Sequence, residues 1–425
     1  MSGSFIKFAE TQLNLPAVEG TTQLARYDEI SEVLRSQKFV QGAFMESRKT
    51  VIADTTIVID GRKHIERRNI LNQIFSENAL ADMRERYLIP VVEHSLKEAA
   101  AAAAHGADGK VTADLVPLAQ RSVYRIAAAV CGVDGLDRPE AADRLIAQIQ
   151  TIGAGITVEW SRESMPEVLR AATAAQEEFR RELFEPSRQR RIEIAEDIRV
   201  GRLDPAEAPR DVLMYAVQHS DEAWAGDDEL ALREVCMFIV AASQTTANSL
   251  VSFILRLEQW LDNHPGDRTL MATDPNFLRN AAYESLRLTV AAPARQRIAT
   301  EDVRLASGRE IKKNERVALL FIPANMERDR FGDDADRFNP RRDTASTLPW
   351  GMSFGSGAHS CPGRPLVTGS RSRKKADVDG TMVTVARRLY DAGMELDPAN
   401  PPVADETTLY DHYRIVPIRF SHLNQ

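Results

Sequence analysis

Apolar residues recur at intervals of three and four along most of the chain, the spacing of helices with one buried face. In residues 80–104, LADMRERYLIPVVEHSLKEAAAAAA, that spacing runs into an alanine tract at 99–104 that favours helix by propensity. HGADGK then breaks it. The same pattern predicts helices near 116–131, 138–155, 166–199, 209–219 and 228–262. Within them EPSRQRRIEIAEDIRVGR reads as a strongly charged, solvated face. Strands are short and scattered. TTIVID (55–60) and ERVALLFI (315–322) are β-branched runs, VRLASGREI (303–311) reads as a hairpin on a glycine turn, and RIVPIRF near the end reads as a last strand. Helices and strands do not alternate regularly, which disfavours a doubly wound sheet. The expectation is one large domain over 1–425, mainly α with small β-sheets.

Composition narrows the class. A formal net charge of -8, 43% hydrophobic and 27% charged residues fit a soluble globular protein. The mild acidity argues against nucleic acid as a partner. The cysteines Cys131, Cys236 and Cys361 are odd in number and far apart, so no disulfide framework is implied, and a reducing, cytoplasmic setting is expected. The N-terminal MSGSFIKFAETQLNLP has no basic region followed by an apolar stretch, so no signal peptide is expected. No run of about 18 apolar residues occurs, so neither is a membrane span.

The stretch FGSGAHSCPG at 354–363 gathers glycine, histidine and cysteine on one turn. Glycines 355, 357 and 363 would let backbone N–H groups approach the Cys361 sulfur, and Pro362 suits the first turn of a following helix. On these residues alone a buried inert cysteine, a metal-bound thiolate and a nucleophile beside His359 all stay open. A zinc site has little support, because no CxxC or paired histidine accompanies the turn. The whole string Phe354, Gly355, Gly357, His359, Cys361 and Gly363 resembles the haem-binding signature of the cytochrome P-450 family. The resemblance implies haem b, with Cys361 as axial iron ligand and the haem between a distal long helix and a proximal cysteine loop.

Other segments resemble the same family. AAYESLRL (281–288) carries Glu284 and Arg287, similar to the family's structural E-x-x-R pair. Arg342 in DADRFNPRRD aligns as its third member, with Arg341 the alternative. DGRKHIERR places His64 and Arg68 four apart, and PARQRIATEDV supplies Arg297. With His359, these are the implied partners of the haem propionates, because guanidinium binds carboxylate bidentately.

The stretch Ala241-Ala242-Ser243-Gln244-Thr245-Thr246 resembles the distal helix, with two departures. Ala242 stands where glycine is common, and Gln244 stands at the acid position. Glutamine gives and accepts hydrogen bonds but does not titrate. Three consequences are open: protons pass Gln244 through water or another acid to Thr245, the enzyme takes peroxide, or proton delivery is slow or altered.

The segment after Val367 is unlike the family and brings Arg371, Arg373, Lys374 and Lys375. This basic run is either solvated surface or a docking face for an acidic ferredoxin. The resemblance implies a pocket lined by Phe44, Met45, Ile152, Ile156, Val240, Ala241, Val290, Ala291 and Tyr410, with Arg295 and His412 able to anchor a carboxylate. The expected function is a monooxygenase acting on a small or medium apolar organic molecule with O2. Its electrons would come from NAD(P)H through a reductase and ferredoxin. The alternatives are a peroxygenase, a non-hydroxylating haem enzyme, and a non-catalytic haem sensor or recruitment protein.

Overall fold

The structure is a computed structural model that describes residues 18, 20–102, 104–105, 109–161, 163–344, 347–370, 377–406 and 412–422. Its contacts group into two compact units, each discontinuous in sequence.

The first unit comprises residues 1–43, 92–119 and 245–425 and holds every described strand. One sheet orders Thr22–Leu24, Arg316–Leu320, Ala294–Ala299 and Phe39–Gln41, the first pair parallel and the others antiparallel. Its apolar residues pack with helix Tyr27–Arg35 in a core of Leu24, Ile30, Val33, Phe39, Val317 and Leu319. A second sheet, fully antiparallel, orders Ala104–His105, Val111–Asp114, Pro417–Phe420 and Met394–Leu396. The expected hairpin forms between Val303–Arg304 and Glu310–Ile311, with Gly308 at φ 87° in its turn.

The second unit comprises residues 44–91 and 120–244, and its described residues form helices joined by turns, with no strand. It contains helices Gly61–Leu71 and Pro139–Ile156. Met165–Phe179 continues through one wide turn into Glu185–Arg199. Its centre holds a buried polar knot. Arg67 donates to Glu234 Oε2 at 3.1 Å and to Ala223 O at 3.1 Å, and its guanidinium lies 5.8 Å from the Trp224 ring. Glu234 is wholly buried, and burial pushes its carboxyl above the ordinary range.

Three expectations change. TTIVID is a series of turns, not a strand: Val58 N and Ile59 N both donate to Thr55 O, and Thr56 is bound to Glu234. Thr56 is tied through its N–H and hydroxyl to Glu234 instead of to a ladder. In ERVALLFI the strand stops at Leu320 and Phe321–Asn325 is helical, because Pro323 supplies no ladder donor. After the cysteine turn the helix starts at Arg364, so Pro365, not Pro362, occupies its first turn.

Helix Asp228–Asn263 runs unbroken for 36 residues. By length and composition it could cross a membrane, but 61% of its most apolar window is buried inside the protein. Its apolar surface therefore serves as core.

Candidate functional site

The cysteine turn is closed on itself. Cys361 N donates to Phe354 O at 2.8 Å, Gly355 N to Met352 O at 2.8 Å and Ser360 N to Gly357 O at 3.1 Å. Gly355 and Gly357 sit at φ 66° and 72°. A Cβ at Gly357 would lie 2.1 Å from Leu34 O, so glycine is required where the turn meets the end of helix Tyr27–Arg35. Arg35 Nε donates to Ser356 Oγ at 2.8 Å at the same junction. Gly357→Ala is expected to cost about 1–3 kcal/mol through backbone strain alone. Thermal unfolding checks this, with Gly308→Ala, a positive-φ glycine in open space, as the comparison that lacks the clash.

Burial separates Cys361 from the other cysteines. Cys131 and Cys236 are buried, and burial pushes both thiols up, Cys236 to about 12. Cys361 is exposed on its turn. Phe354 packs edge-on to Trp350 at 6.0 Å, and Trp350 packs edge-on to Tyr283 at 5.3 Å. The Arg364 guanidinium lies 5.0 Å over the Trp350 ring. Tyr283 donates to Thr368 O at 2.9 Å.

Behind the turn lies a buried charge cluster. Arg287 is wholly buried and grips Glu284 with two bonds of 2.8 Å, while its Nη1 donates to Ala335 O at 2.7 Å. Arg342 Nε donates to Glu284 Oε1 at 3.0 Å, whereas Arg341 pairs with Asp267. Asn325 connects the cluster to the turn. Its amide donates to Arg287 O at 2.9 Å and to Ser353 Oγ at 3.1 Å, and its oxygen accepts Met352 N at 2.7 Å. Sequence reasoning missed Asn325, Trp350 and Tyr283. Of these, Tyr283 stood in AAYESLRL, a segment already singled out, and Trp350 lies four residues before Phe354.

The remaining candidates are carried by several elements. Arg297 is buried in strand Ala294–Ala299, where its Nη1 donates to Gln41 Oε1 at 2.7 Å and Gln296 O at 2.8 Å. A Cβ on Gly42 would lie 2.9 Å from its carbonyl carbon, so the neighbouring strand passes close. His64 is buried and Arg68 half-buried on helix Gly61–Leu71, and His359 is half-buried on the cysteine turn. Ile152, Ile156, Phe44 and Val290 are buried, Val240 and Ala291 are half-buried, and Met45 is exposed. Arg295 donates to Ala294 O at 3.2 Å, and His412 meets the Asn248 amide at 3.1 Å. Tyr410, Arg371, Arg373, Lys374 and Lys375 lie outside the described residues.

The long helix carries an open stripe beside buried Ser243, Thr246 and Ala247. Ala241 is exposed, and Gln244, Thr245 and Asn248 are half-buried, at spacings that place them on one side. Gln244 Oε1 accepts the hydroxyl proton of Tyr124 from helix Leu115–Cys131. The sequence held no local signal for that partner.

The exposed Cys361 thiol on its glycine turn is of the type that can ligate a metal. Among the described residues no cluster of histidine, cysteine and carboxylate groups competes as a metal site. Comparison with known proteins agrees. The Cytochrome P450 family model matches residues 266–368, which include both the charge cluster and the cysteine turn. The 6-deoxyerythronolide B hydroxylase of Saccharopolyspora erythraea is 33% identical over 161 residues, 37% of this chain and 37% of that protein. Cytochrome P450-SU2 of Streptomyces griseolus is 29% identical over 177 residues, 41% of this chain and 39% of that one. The chain thus spans about two fifths of the length of these curated relatives. Substrate-free CYP109E1 from Bacillus megaterium superposes with a TM-score of 0.70 at 20% identity, over 99% of each chain. A mutant of P450 EryK in complex with erythromycin B gives 0.65 at 20% identity, over 98% of this chain and 96% of that one. Residues 266–368 thus match the cytochrome P450 family, and the chain has the fold of the solved P450 structures, mainly α with small sheets. The family implies a haem iron, and the exposed Cys361 fits it.

Proposed function

We propose that this chain is a single-domain haem-thiolate monooxygenase that takes O2 and electrons from NAD(P)H, through a reductase and ferredoxin, to oxidise an apolar organic molecule in the cytoplasm. The observation that carries this reading is the exposed Cys361 on a turn closed by its own hydrogen bonds and backed by the buried Glu284–Arg287–Arg342 cluster. Haem b held by Cys361 would supply the activation of O2 and transfer of one oxygen atom to substrate, the thiolate favouring O–O cleavage.

The chain's own residues would do the rest. His64, Arg68, Arg297 and His359 would hold the propionates. Glu284, Arg287 and Arg342 would keep the proximal segment in place, and Phe354 would cover the sulfur. Thr245 would hold water and a proton at its hydroxyl, with Gln244 orienting that water by hydrogen bonds. Ala241, Val290 and Ala291 would line the substrate side with small apolar surface. Solved structures of similar fold hold testosterone, a hexadecenoic acid on an acyl carrier protein, and erythromycin B. These ligands support a largely apolar substrate.

A second reading has one observation in its favour. Gln244 cannot titrate, so a peroxide-driven reaction, which brings its own protons, suits this distal helix. One assay separates the two. The haem-loaded protein is given a steroid, a fatty acid and a macrolide with labelled O2, reductase, ferredoxin and NAD(P)H. The expected product carries one labelled oxygen atom. Turnover with peroxide alone, and none with the electron chain, overturns the monooxygenase reading.

The same assay tests the docking role proposed for Arg371, Arg373, Lys374 and Lys375. The described residues on either side of them are tied together. Ser370 and Val378 exchange backbone hydrogen bonds of 2.9 and 3.0 Å, and buried Arg279 binds Asp377 and Asp379 at 2.8 and 2.6 Å. Neutralising the four cations is expected to slow electron transfer about tenfold at low ionic strength, with the difference vanishing in high salt. An unchanged rate removes the docking role.

A further inference from the structure

Gln244 departs from the family's pattern, and its surroundings are built from neutral groups. Tyr124 is 0% exposed on helix Leu115–Cys131 and donates its hydroxyl proton to Gln244 Oε1. Gln150, from helix Pro139–Ile156, and Ser243 also lie within hydrogen-bonding reach of that hydroxyl. Burial pushes Tyr124 up to about 12, so it keeps its proton at any working pH. The charged side chains near it on these helices are engaged elsewhere. Arg121 pairs with Asp143 at 2.8 Å, Arg125 donates to Leu136 O at 3.0 Å, and Arg144 faces Glu182 at 3.5 Å. The long helix contributes Ser243 and Gln244.

An amide has two unlike ends, an oxygen that accepts and an NH2 that donates. A tyrosine hydroxyl has one proton to give. Its donation to Oε1 therefore selects one of the two orientations open to the Gln244 amide and directs the NH2 end away from Tyr124.

We propose that Tyr124 is a positioning residue: it fixes the orientation of the Gln244 amide, so that position 244 serves Thr245 as a pH-independent hydrogen-bonding group in place of a titrating acid. This rests on the distal roles of Gln244 and Thr245 proposed above. A carboxylate at 244 would receive the same hydroxyl proton, which stabilises its charged form and lowers its pKa. Loss of the hydroxyl would raise it.

The test reads that proton affinity without turnover. Gln244→Glu is made alone and together with Tyr124→Phe, and the infrared carbonyl band of the protonated carboxyl is followed against pH in the haem-loaded proteins. The midpoint is expected to rise by about one pH unit when the hydroxyl is removed, a tenfold change in proton affinity. Coincident midpoints overturn the proposal. A second measurement needs no double variant: the ring-carbon NMR signal of labelled Tyr124 shifts on Gln244→Leu, and an unmoved signal likewise overturns it. Tyr124→Phe alone is expected to lower the fraction of electrons reaching product about threefold at unchanged KM, whereas a change confined to thermal stability reduces Tyr124 to core packing. Because both spectroscopic readouts work in a protein that turns nothing over, their failure is distinct from failure of the monooxygenase reading.

Discussion

Cys361→Ser is expected to abolish the red-shifted Soret band of the reduced, carbon-monoxide-bound protein and to bring oxygenation down to background. The argument is chemical. A thiolate donates electron density to iron that a serine hydroxyl does not, and the band reports that donation. The turn itself should survive. Its closing bonds run between backbone atoms, with Cys361 N on Phe354 O at 2.8 Å and Arg364 N on Cys361 O at 3.4 Å, and a serine makes them equally. Cys131→Ser and Cys236→Ser are the controls. Both thiols are buried, so these changes should lower stability and leave the band in place. Persistence of the band in the Cys361 variant removes this residue as ligand and with it the proposed chemistry.

Arg287→Ala is expected to be the most damaging change to folding, about 3–5 kcal/mol, because it leaves a buried charge without its partner. Arg287 is 0% exposed, and its removal leaves Glu284, at 3% exposure, with Arg342 and the Asn339 N–H as its remaining partners. The damage should travel. The carbonyl oxygens of Asn325 and Ala335 lose their donor, and Asn325 is the side chain that ties Arg287 O to Met352 N and Ser353 at the start of the cysteine turn. Denaturant unfolding should show a lowered midpoint, and the protein recovered should bind less haem. Arg62→Ala offers the contrast. Arg62 and Glu66 form a 2.6 Å ion pair at helical spacing, but Arg62 stands in solvent, so its loss should leave Tm unchanged. A variant at Arg287 as stable as that at Arg62 contradicts the reading of the cluster as a structural lock.

Two pairs of arginines separate what was legible in the chain from what was not. Arg341 and Arg342 are neighbours, and alignment preferred the second; the structure sends Arg342 to Glu284 and Arg341 to Asp267. Arg67 and Arg68 are also neighbours, and the sequence pointed only to Arg68. Arg67 proves the more buried, bound to Glu234 from 167 positions away. The first case was legible because its partner lies in a recognisable segment. The second was not, since nothing near Arg67 or Glu234 announces the other. TTIVID failed for the same reason: its β-branched residues suit a strand, but Thr56 is held by Glu234 from a distant helix.

By itself the sequence determined the helical character of the chain, the glycine turn that presents Cys361, the Glu284–Arg287 pair one helical turn apart, and the non-titrating residue at 244. All four are written in spacings of ten residues or fewer, where covalent geometry and helix period decide which side chains share a face. Only the tertiary structure decided that Asn325 joins the charge cluster to the turn, that Trp350 and Tyr283 flank it, and that Tyr124 meets Gln244 across 120 residues. Those pairings depend on which buried polar groups packing brings within hydrogen-bond reach, and a buried group must find a partner wherever the fold supplies one.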